Sequence, residues 1–145
     1  MSGALKDIIE APDLETFRAA DPREIVAGGL SLLQQYELPD DIREDYSSAY
    51  DGDRLVESMN YVRNYPTELP VLNDLLPQIE TPVQIISGER DEFVPPSNSE
   101  FLHERLPKSK LDLLDSGHYP WEDAADEYAA LVTAWWQGGY ANVGK

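Results

Sequence analysis

Cysteine is absent from the 145-residue sequence, and basic side chains are scarce. Without cysteine the chain has no disulfide scaffold, no thiol nucleophile and no zinc–thiolate site. Its 11 lysines and arginines stand against 28 aspartates and glutamates, which gives a net charge of 11 − 28 = −17. This excess of negative charge argues against binding to nucleic acid or to an anionic membrane surface, because both attract faces rich in lysine and arginine.

Long uninterrupted apolar stretches are absent as well. The first twenty residues, MSGALKDIIEAPDLETFRAA, mix charged and apolar side chains, so neither a signal peptide nor a transmembrane span is indicated. The default expectation is therefore a soluble cytoplasmic protein. Apolar residues make up 41% of the chain, which is enough for a core, and the length suits one ordinary domain.

The sequence pattern changes near residue 81. The first part, residues 1–80, is typical of helices separated by prolines, and no strand is indicated there. Helices are predicted to begin at three capping or proline positions, which are Asp21-Pro22, Pro39 and Asp53. The following stretch is predicted to break into short pieces at three prolines, which are Pro66, Pro70 and Pro77.

The second part, residues 81–145, alternates between strand and helix patterns. Strands are predicted at Pro82–Ser87 and Lys110–Asp115, with a helix at Ser97–Leu106 between them and one long helix from Glu122 to Gln137. This β-α-β-α order with a short crossover predicts two parallel strands. Parallel strands are normally buried inside a larger sheet, yet only two are evident in this sequence.

Two side chains that could take part in catalysis follow the two predicted strands. Asp91 lies in the turn after the first strand, and His118 lies in the turn after the second. Functional groups of open α/β sheets gather beyond the carboxyl ends of the strands, so this pair is expected at one edge. A carboxylate there can accept a hydrogen bond from one imidazole nitrogen and leave the other nitrogen free as a general base. Either residue alone is equally well explained as a turn former or a surface residue.

The same stretch resembles the α/β-hydrolase family. The run Thr81–Pro96 is similar to the acid turn of that family, and Phe101–Glu122 is similar to its last strand and histidine turn. The helix that ends at Trp135 is similar to the closing helix. The resemblance is strong over residues 81–137, whereas the helices of residues 1–76 resemble, less specifically, a cap inserted before the last strands.

The resemblance implies a fold, a site and a reaction class. The fold is α/β, a partial α/β-hydrolase fold with a helical cap-like region at 1–80 and the last two parallel βα units at 81–145. Asp91 is implied as the acid and His118 as the base of a catalytic triad. No cofactor and no metal are implied, and the spacing of Asp91, Glu92 and His118 is not distinctive of a metal site.

The nucleophile of that family is missing from this sequence. The family carries it in a G-x-S-x-G turn between a strand and a helix. The nearest string here, Gly29–Leu33, lacks the final glycine and lies in a helical pattern, so Ser31 is predicted to be an ordinary helix residue. The segment that would supply backbone oxyanion donors is absent too, and those donors usually make the largest catalytic contribution.

Two functional hypotheses follow. In the first, the chain is a truncated or split α/β-hydrolase, inactive alone, whose completed form hydrolyses a small-molecule ester, lactone, epoxide or haloalkane. A serine nucleophile would indicate acyl substrates, and an aspartate would indicate epoxides or haloalkanes. In the second, the chain is a non-catalytic interaction module. Its unpaired strand edge would then pair with another chain, either the amino-terminal half of a hydrolase or a second copy.

Two helices carry side chains whose roles can be predicted from their neighbours. His103 stands beside Glu104 and Arg105 in a helical stretch and is predicted to be a solvated helix residue rather than a ligand. Trp135 and Trp136 are consecutive, so they cannot both face inward from one helix. One of the two tryptophans is therefore expected to be an interface residue or to cover the sheet edge.

Overall fold

In the computed structural model, residues 3–140 are described, and residues 3 and 4 only by their backbone. Within this part of the chain, six α-helices come first: α1 (Gly3–Glu10), α2 (Glu15–Arg18), α3 (Pro22–Leu30), α4 (Asp40–Ser48), α5 (Arg54–Arg63) and α6 (Tyr65–Leu75). A 3₁₀ turn at Leu76–Gln78 follows. The remaining elements are β1 (Val83–Gly88), α7 (Ser97–Arg105), β2 (Ser109–Leu114), α8 (Pro120–Asp123) and α9 (Ala125–Gln137).

Contacts group the described residues into two compact units. The first unit takes in the described residues up to Leu32 together with Glu37–Pro70. The second takes in Leu33–Tyr36 together with the described residues from Val71 onwards. The division after residue 80, into a cap-like region and a part of a hydrolase core, is defined by the family resemblance and stays a prediction.

Three helices begin where the sequence predicts. Asp21 caps α3, because its side chain accepts a hydrogen bond from the Arg23 backbone N–H at 2.9 Å, and Pro22 occupies the first helical position. The helices α4 and α5 begin at Asp40 and Arg54, within one residue of the predicted starts.

The chain breaks between α5 and α6 just before Pro66, as predicted, whereas the predicted break at Pro70 is wrong, since α6 runs through that proline. Pro66 lies in the first turn, where a backbone N–H has no helical partner in any case. Pro70 lies inside the helix and removes the donor for the Pro66 carbonyl. Pro66 is exposed, so water can satisfy that carbonyl, and the helix continues to the 3₁₀ turn that contains Pro77.

The predicted long helix from Glu122 to Gln137 is also wrong, because it is two helices. The chain leaves helical geometry at Ala124, with φ −135° and ψ 44°, between α8 and α9. Two acidic residues, Asp126 and Glu127, occupy the first turn of α9, where negative charge stabilises a new helix start. Across residues 3–140, none of the helices combines the length and the apolar character needed to cross a membrane.

The first unit has a small apolar core built mainly on α5. Leu55, Val56 and Met59 are buried on one face of that helix and pack with Leu14, while Ile8 and Phe17 cover the cluster. This spacing of i, i+1 and i+4 gives the inward stripe expected of an amphipathic helix.

Arg23 ties α3 to α4 at the surface of the same unit. Its two terminal nitrogens donate to the two carboxylate oxygens of Glu44 at 2.8 and 2.9 Å, and its Nε donates to Asp51 at 3.1 Å. Hydrogen bonding and charge attraction from Arg23 lower the pKa of Glu44, and the two carboxylates raise the pKa of Arg23. The two side chains are 42% and 60% exposed, so solvent screens the contribution of the pair to stability.

We predict that replacement Glu44→Gln makes stability less dependent on pH. Because the pKa of Glu44 is lowered on folding, its ionised form stabilises the folded chain above the unfolded-state pKa and loses this effect as the pH falls through the folded-state pKa. Urea unfolding near pH 7 should show a lower midpoint for the variant, and the difference should shrink as the pH falls below the unfolded-state pKa and through the folded-state pKa. Glu57→Gln, on exposed α5 surface, is the control. A midpoint difference that keeps the same size as the pH is lowered would contradict the prediction.

The second unit is organised by a parallel pair of strands. The strands β1 and β2 pair from Val83 opposite Ser109 to Gly88 opposite Leu114, which confirms the predicted parallel strands. Gly88, Ser109 and Leu114 are buried, whereas most other positions of the two strands are half-buried. The architecture is that of a partial α/β fold, with two βα units following a helical region.

Leu113 and Leu114 allow a matched test of this core. Leu114 is 2% exposed and its neighbour Leu113 is 41% exposed on the same strand. Leu114→Ala should lower the free energy of unfolding by about 2–5 kcal/mol, since it leaves a cavity in packed surroundings. Leu113→Ala should cost about 1 kcal/mol or less. Urea denaturation followed by circular dichroism measures both, and equal losses would contradict the burial seen here.

Candidate active site

The turns that follow β1 and β2 lie in direct contact. The Glu89 N–H donates to the Leu114 carbonyl at 2.7 Å, and the Arg90 N–H donates to the Ser116 carbonyl at 3.0 Å. Gly88 makes this approach possible, because a Cβ there would lie 2.0 Å from the Gly117 carbonyl oxygen. The ends of the two strands are therefore locked together at one edge of the sheet.

Asp91 is buried in the first of these turns, with 7% of its surface exposed. Its Oδ1 accepts hydrogen bonds from the backbone N–H groups of Phe93 and Val94, both at 2.8 Å. Two donors on one oxygen fix the carboxylate plane and offset part of the cost of burying its charge. Oδ2 is then directed at the second turn.

His118, in the second turn, contacts the Oδ2 atom of Asp91. Its Nδ1 lies 2.8 Å from Asp91 Oδ2, and its side chain is 25% exposed. The imidazole makes edge contacts with the Phe93 ring, at 4.9 Å between centroids, and with the Tyr119 ring, at 5.1 Å. Because an ionised carboxylate only accepts, Nδ1 must carry the proton that it shares with Asp91. Nε2 is thereby kept as the acceptor nitrogen.

The structure thus brings together the two side chains that the sequence singles out, Asp91 and His118. Their catalytic role stays a prediction. Glu92 is exposed and is not part of the pair. Within residues 3–140, no group of three or more histidine, aspartate or glutamate side chains is arranged to hold a metal ion.

Two other candidates have ordinary structural explanations. Ser31 is the C-cap residue of α3, and its hydroxyl donates to the Gly28 carbonyl at 2.6 Å. This position at the end of a helix agrees with the prediction that Ser31 is an ordinary helix residue rather than a nucleophile. The prediction for His103 is wrong, because the residue is half-buried and its Nδ1 lies 2.8 Å from the hydroxyl of buried Ser109. Ser109 lies six residues after His103 and outside the same helix, so the helical repeat of the sequence does not predict this contact.

The two consecutive tryptophans do not both face inward, as expected, and the interface or sheet-edge role of one of them stays a prediction. Trp136 is 72% exposed, whereas Trp135 is half-buried on α9.

The groups that hold Asp91 and His118 in place were not predicted from the sequence. They are the backbone amides of Phe93 and Val94 and the rings of Phe93 and Tyr119. The one available signal for the amides is that Asp91 precedes Phe93 by two residues, which is the spacing of an Asx turn.

The orientation of Asp91 makes a specific prediction for Asp91→Asn. In the variant, the side-chain oxygen should stay with the two backbone donors, so the Nδ2 amide group must face His118. The amide donates, and Nδ1 of His118 must then accept, which moves the imidazole proton to Nε2. Imidazole ¹⁵N chemical shifts should report Nδ1–H in the original chain and Nε2–H in the variant.

The control for this experiment is Asp112→Asn, which removes a carboxylate that accepts from Gln84 within the sheet. It should leave the tautomer of His118 unchanged. If Asp91→Asn also leaves the tautomer unchanged, the hydrogen bond between Asp91 and His118 does not form in solution.

The chain is similar to curated hydrolases over a limited stretch. It is 36% identical over 66 residues to the pimeloyl-(acyl-carrier protein) methyl ester esterase of Neisseria meningitidis serogroup B, strain H44/76. It is 33% identical over 63 residues to the human serine hydrolase BPHL. These stretches cover 45% and 43% of this chain, and 26% and 22% of the two relatives. No family model matches.

A solved structure is similar over most of the chain. The esterase EaEST from Exiguobacterium antarcticum superposes with a TM-score of 0.70 at 20% identity, over 91% of this chain and 47% of that esterase. At this identity the likeness shows a shared fold. The chain therefore spans about a quarter of the length of the curated relatives that it matches and about half of the solved esterase.

Proposed function

Because the chain belongs to the α/β-hydrolase superfamily, we propose that Asp91 and His118 are the acid and the base of an ester-hydrolysing active site. The observation that carries the proposal is the contact of 2.8 Å between Asp91 Oδ2 and His118 Nδ1, with the other carboxylate oxygen held by two backbone amides. In this arrangement Nε2 is the nitrogen that can exchange a proton with a reacting group.

The proposed reaction needs a nucleophile that these 145 residues do not supply, since the G-x-S-x-G turn is missing. We propose that a serine hydroxyl from a further hydrolase segment attacks the ester carbonyl. His118 Nε2 takes the hydroxyl proton and passes it to the departing alcohol, which leaves an acyl-serine. His118 then takes a proton from water, whose oxygen attacks the acyl group, and the carboxylic acid is released with the serine restored. Asp91 stays ionised and stabilises the imidazolium.

The relatives, rather than this chain, support the proposed substrate class. The two curated relatives are named an ester esterase and a serine hydrolase, and these names favour a serine nucleophile and an acyl ester substrate. Lactones share the same acyl chemistry. Epoxides and haloalkanes, which require an aspartate nucleophile, are disfavoured by the same comparison.

The incomplete burial of the sheet supports the proposal that a partner segment brings the nucleophile. Most positions of β1 and β2 are half-buried, and Leu113 is exposed, although parallel strands are usually covered on both faces. We propose that the nucleophile-bearing segment pairs with this sheet. A non-catalytic interaction module would use the same strands to join another chain, without hydrolysis, and a second copy is the simplest partner of that kind.

Co-expression tests the proposal. The chain would be produced alone and together with the polypeptide encoded directly upstream in its genome, and both samples assayed with p-nitrophenyl acyl esters. Alone it should show no turnover. The pair should hydrolyse the esters, His118→Ala should abolish the activity, and Asp91→Asn should reduce kcat by about 10⁴-fold.

The second histidine of the chain provides the matched control. His103→Asn keeps a polar atom near the position of Nδ1, beside the Ser109 hydroxyl, and should leave hydrolysis unchanged. A stable complex without hydrolysis would support the interaction module instead. Hydrolysis that persists in His118→Ala would contradict the role proposed for this residue.

A further inference from the structure

A short segment far away in sequence is hydrogen-bonded to both turns of the candidate site. We call Leu33–Tyr36 the strap. Arg90, beside Asp91, donates from Nε to the Gln34 side-chain oxygen at 2.8 Å, and the Gln34 side chain donates back to the Arg90 carbonyl at 3.2 Å. The Gln35 side chain donates to the carbonyl of Asp115, just before the histidine turn. The strap therefore bridges the acid turn and the histidine turn.

One carboxylate joins the strap to the histidine turn. Asp123 Oδ1 accepts hydrogen bonds from the backbone N–H groups of residues 34, 35 and 36 at 3.1, 2.9 and 3.2 Å. Its Oδ2 accepts from the Gly117 N–H at 3.3 Å and shares the N–H of residue 34 at 3.2 Å. Consecutive backbone N–H groups directed at one anion form a favourable site for negative charge, and here the anion is a side chain of the same chain.

The Gly117 bond bears directly on His118, the next residue. The carbonyl of Gly117 lies against Gly88, where even a methyl group would not fit, and its N–H is held by Asp123. Gly117, the residue before His118, is therefore restrained at both of its peptide groups, the N–H on one side of its Cα and the carbonyl on the other. Asp91 is fixed independently by the amides of Phe93 and Val94. A shift of the histidine turn by a few tenths of an ångström would lengthen the bond between Asp91 and His118, because hydrogen bonds weaken steeply with geometry.

We propose that Asp123 is a positioning residue for His118, acting through the Gly117 amide, with the strap as its anchor. It touches no reacting atom. The inference rests on the proposed function, in which His118 is the base, and it adds a residue that holds this base at hydrogen-bonding distance from Asp91.

The variant Asp123→Asn distinguishes the bonds that Asp123 makes with the strap from the bond that it makes with the Gly117 amide. An asparagine has one acceptor oxygen, and three strap donors compete for it against one donor from Gly117. The oxygen should stay with the strap, and the Nδ2 group should face the Gly117 N–H, donor against donor. Hydrogen exchange of the Gly117 amide should then accelerate roughly tenfold or more, while the amides of residues 35 and 36, which are held by Oδ1 alone, keep their protection. The imidazole ¹⁵N shifts of His118 should move from pure Nδ1–H towards a mixture of tautomers.

Asp126→Asn is the control, since it removes the same charge from an exposed position in the first turn of α9. It should change neither Gly117 exchange nor the His118 tautomer. The proposal is overturned if Asp123→Asn folds and exposes the Gly117 amide while the His118 spectrum stays that of the original chain. A purely structural role would give that outcome.

If Asp123→Asn does not fold, the unaltered chain answers the same question. The Gly117 amide and the Nδ1 proton of His118 should become exchangeable in one opening step, with the same dependence on urea. Opening at separate rates with different dependence on urea would overturn the proposal. None of these measurements requires hydrolysis, so a failure of the co-expression experiment and a failure of this inference are distinguishable.

Discussion

The buried carboxylate of Asp91 divides its two oxygens between the backbone and an imidazole. One oxygen satisfies the Phe93 and Val94 amides, and the other faces Nδ1 of His118 at 2.8 Å. Burying this charge without partners would cost several kcal/mol, roughly, so the turn conformation and the histidine position depend on each other. The sheet supports both, because the parallel strands end side by side and Gly88 lets the two turns touch.

Several parts of this arrangement can be predicted from the sequence, because they follow from local rules. Asp21 and Pro22 mark a helix start through capping chemistry, and the strand patterns place Asp91 and His118 after two parallel strands. The superfamily follows from the same motifs. Pro70 misled the prediction because its cost depends on whether the freed carbonyl reaches water, which is a property of the folded chain.

Other parts could not be read from the sequence because their partners are distant along the chain. Asp123 holds backbone groups of residues 34–36, almost ninety positions earlier, and a backbone N–H leaves no trace in the residue type that carries it. In the sequence this aspartate is one of many acidic residues near a helix start. The break at Ala124 directly follows this aspartate, which is hydrogen-bonded to the strap and to the Gly117 amide.

The groups that position Asp91 and His118 all belong to one unit of the chain. The donors to Asp91 and the restraints on Gly117 all lie in the second unit, in residues 33–36 and 88–123. The pair is thus positioned by groups of its own chain. In the proposed function, a segment that brings a serine to His118 Nε2 would need to match this nitrogen and the sheet, and it would not have to reorganise the turns. Preorganisation of this kind lowers the cost of forming a reactive arrangement, which supports the proposal that the second unit is the fixed half of a hydrolytic site.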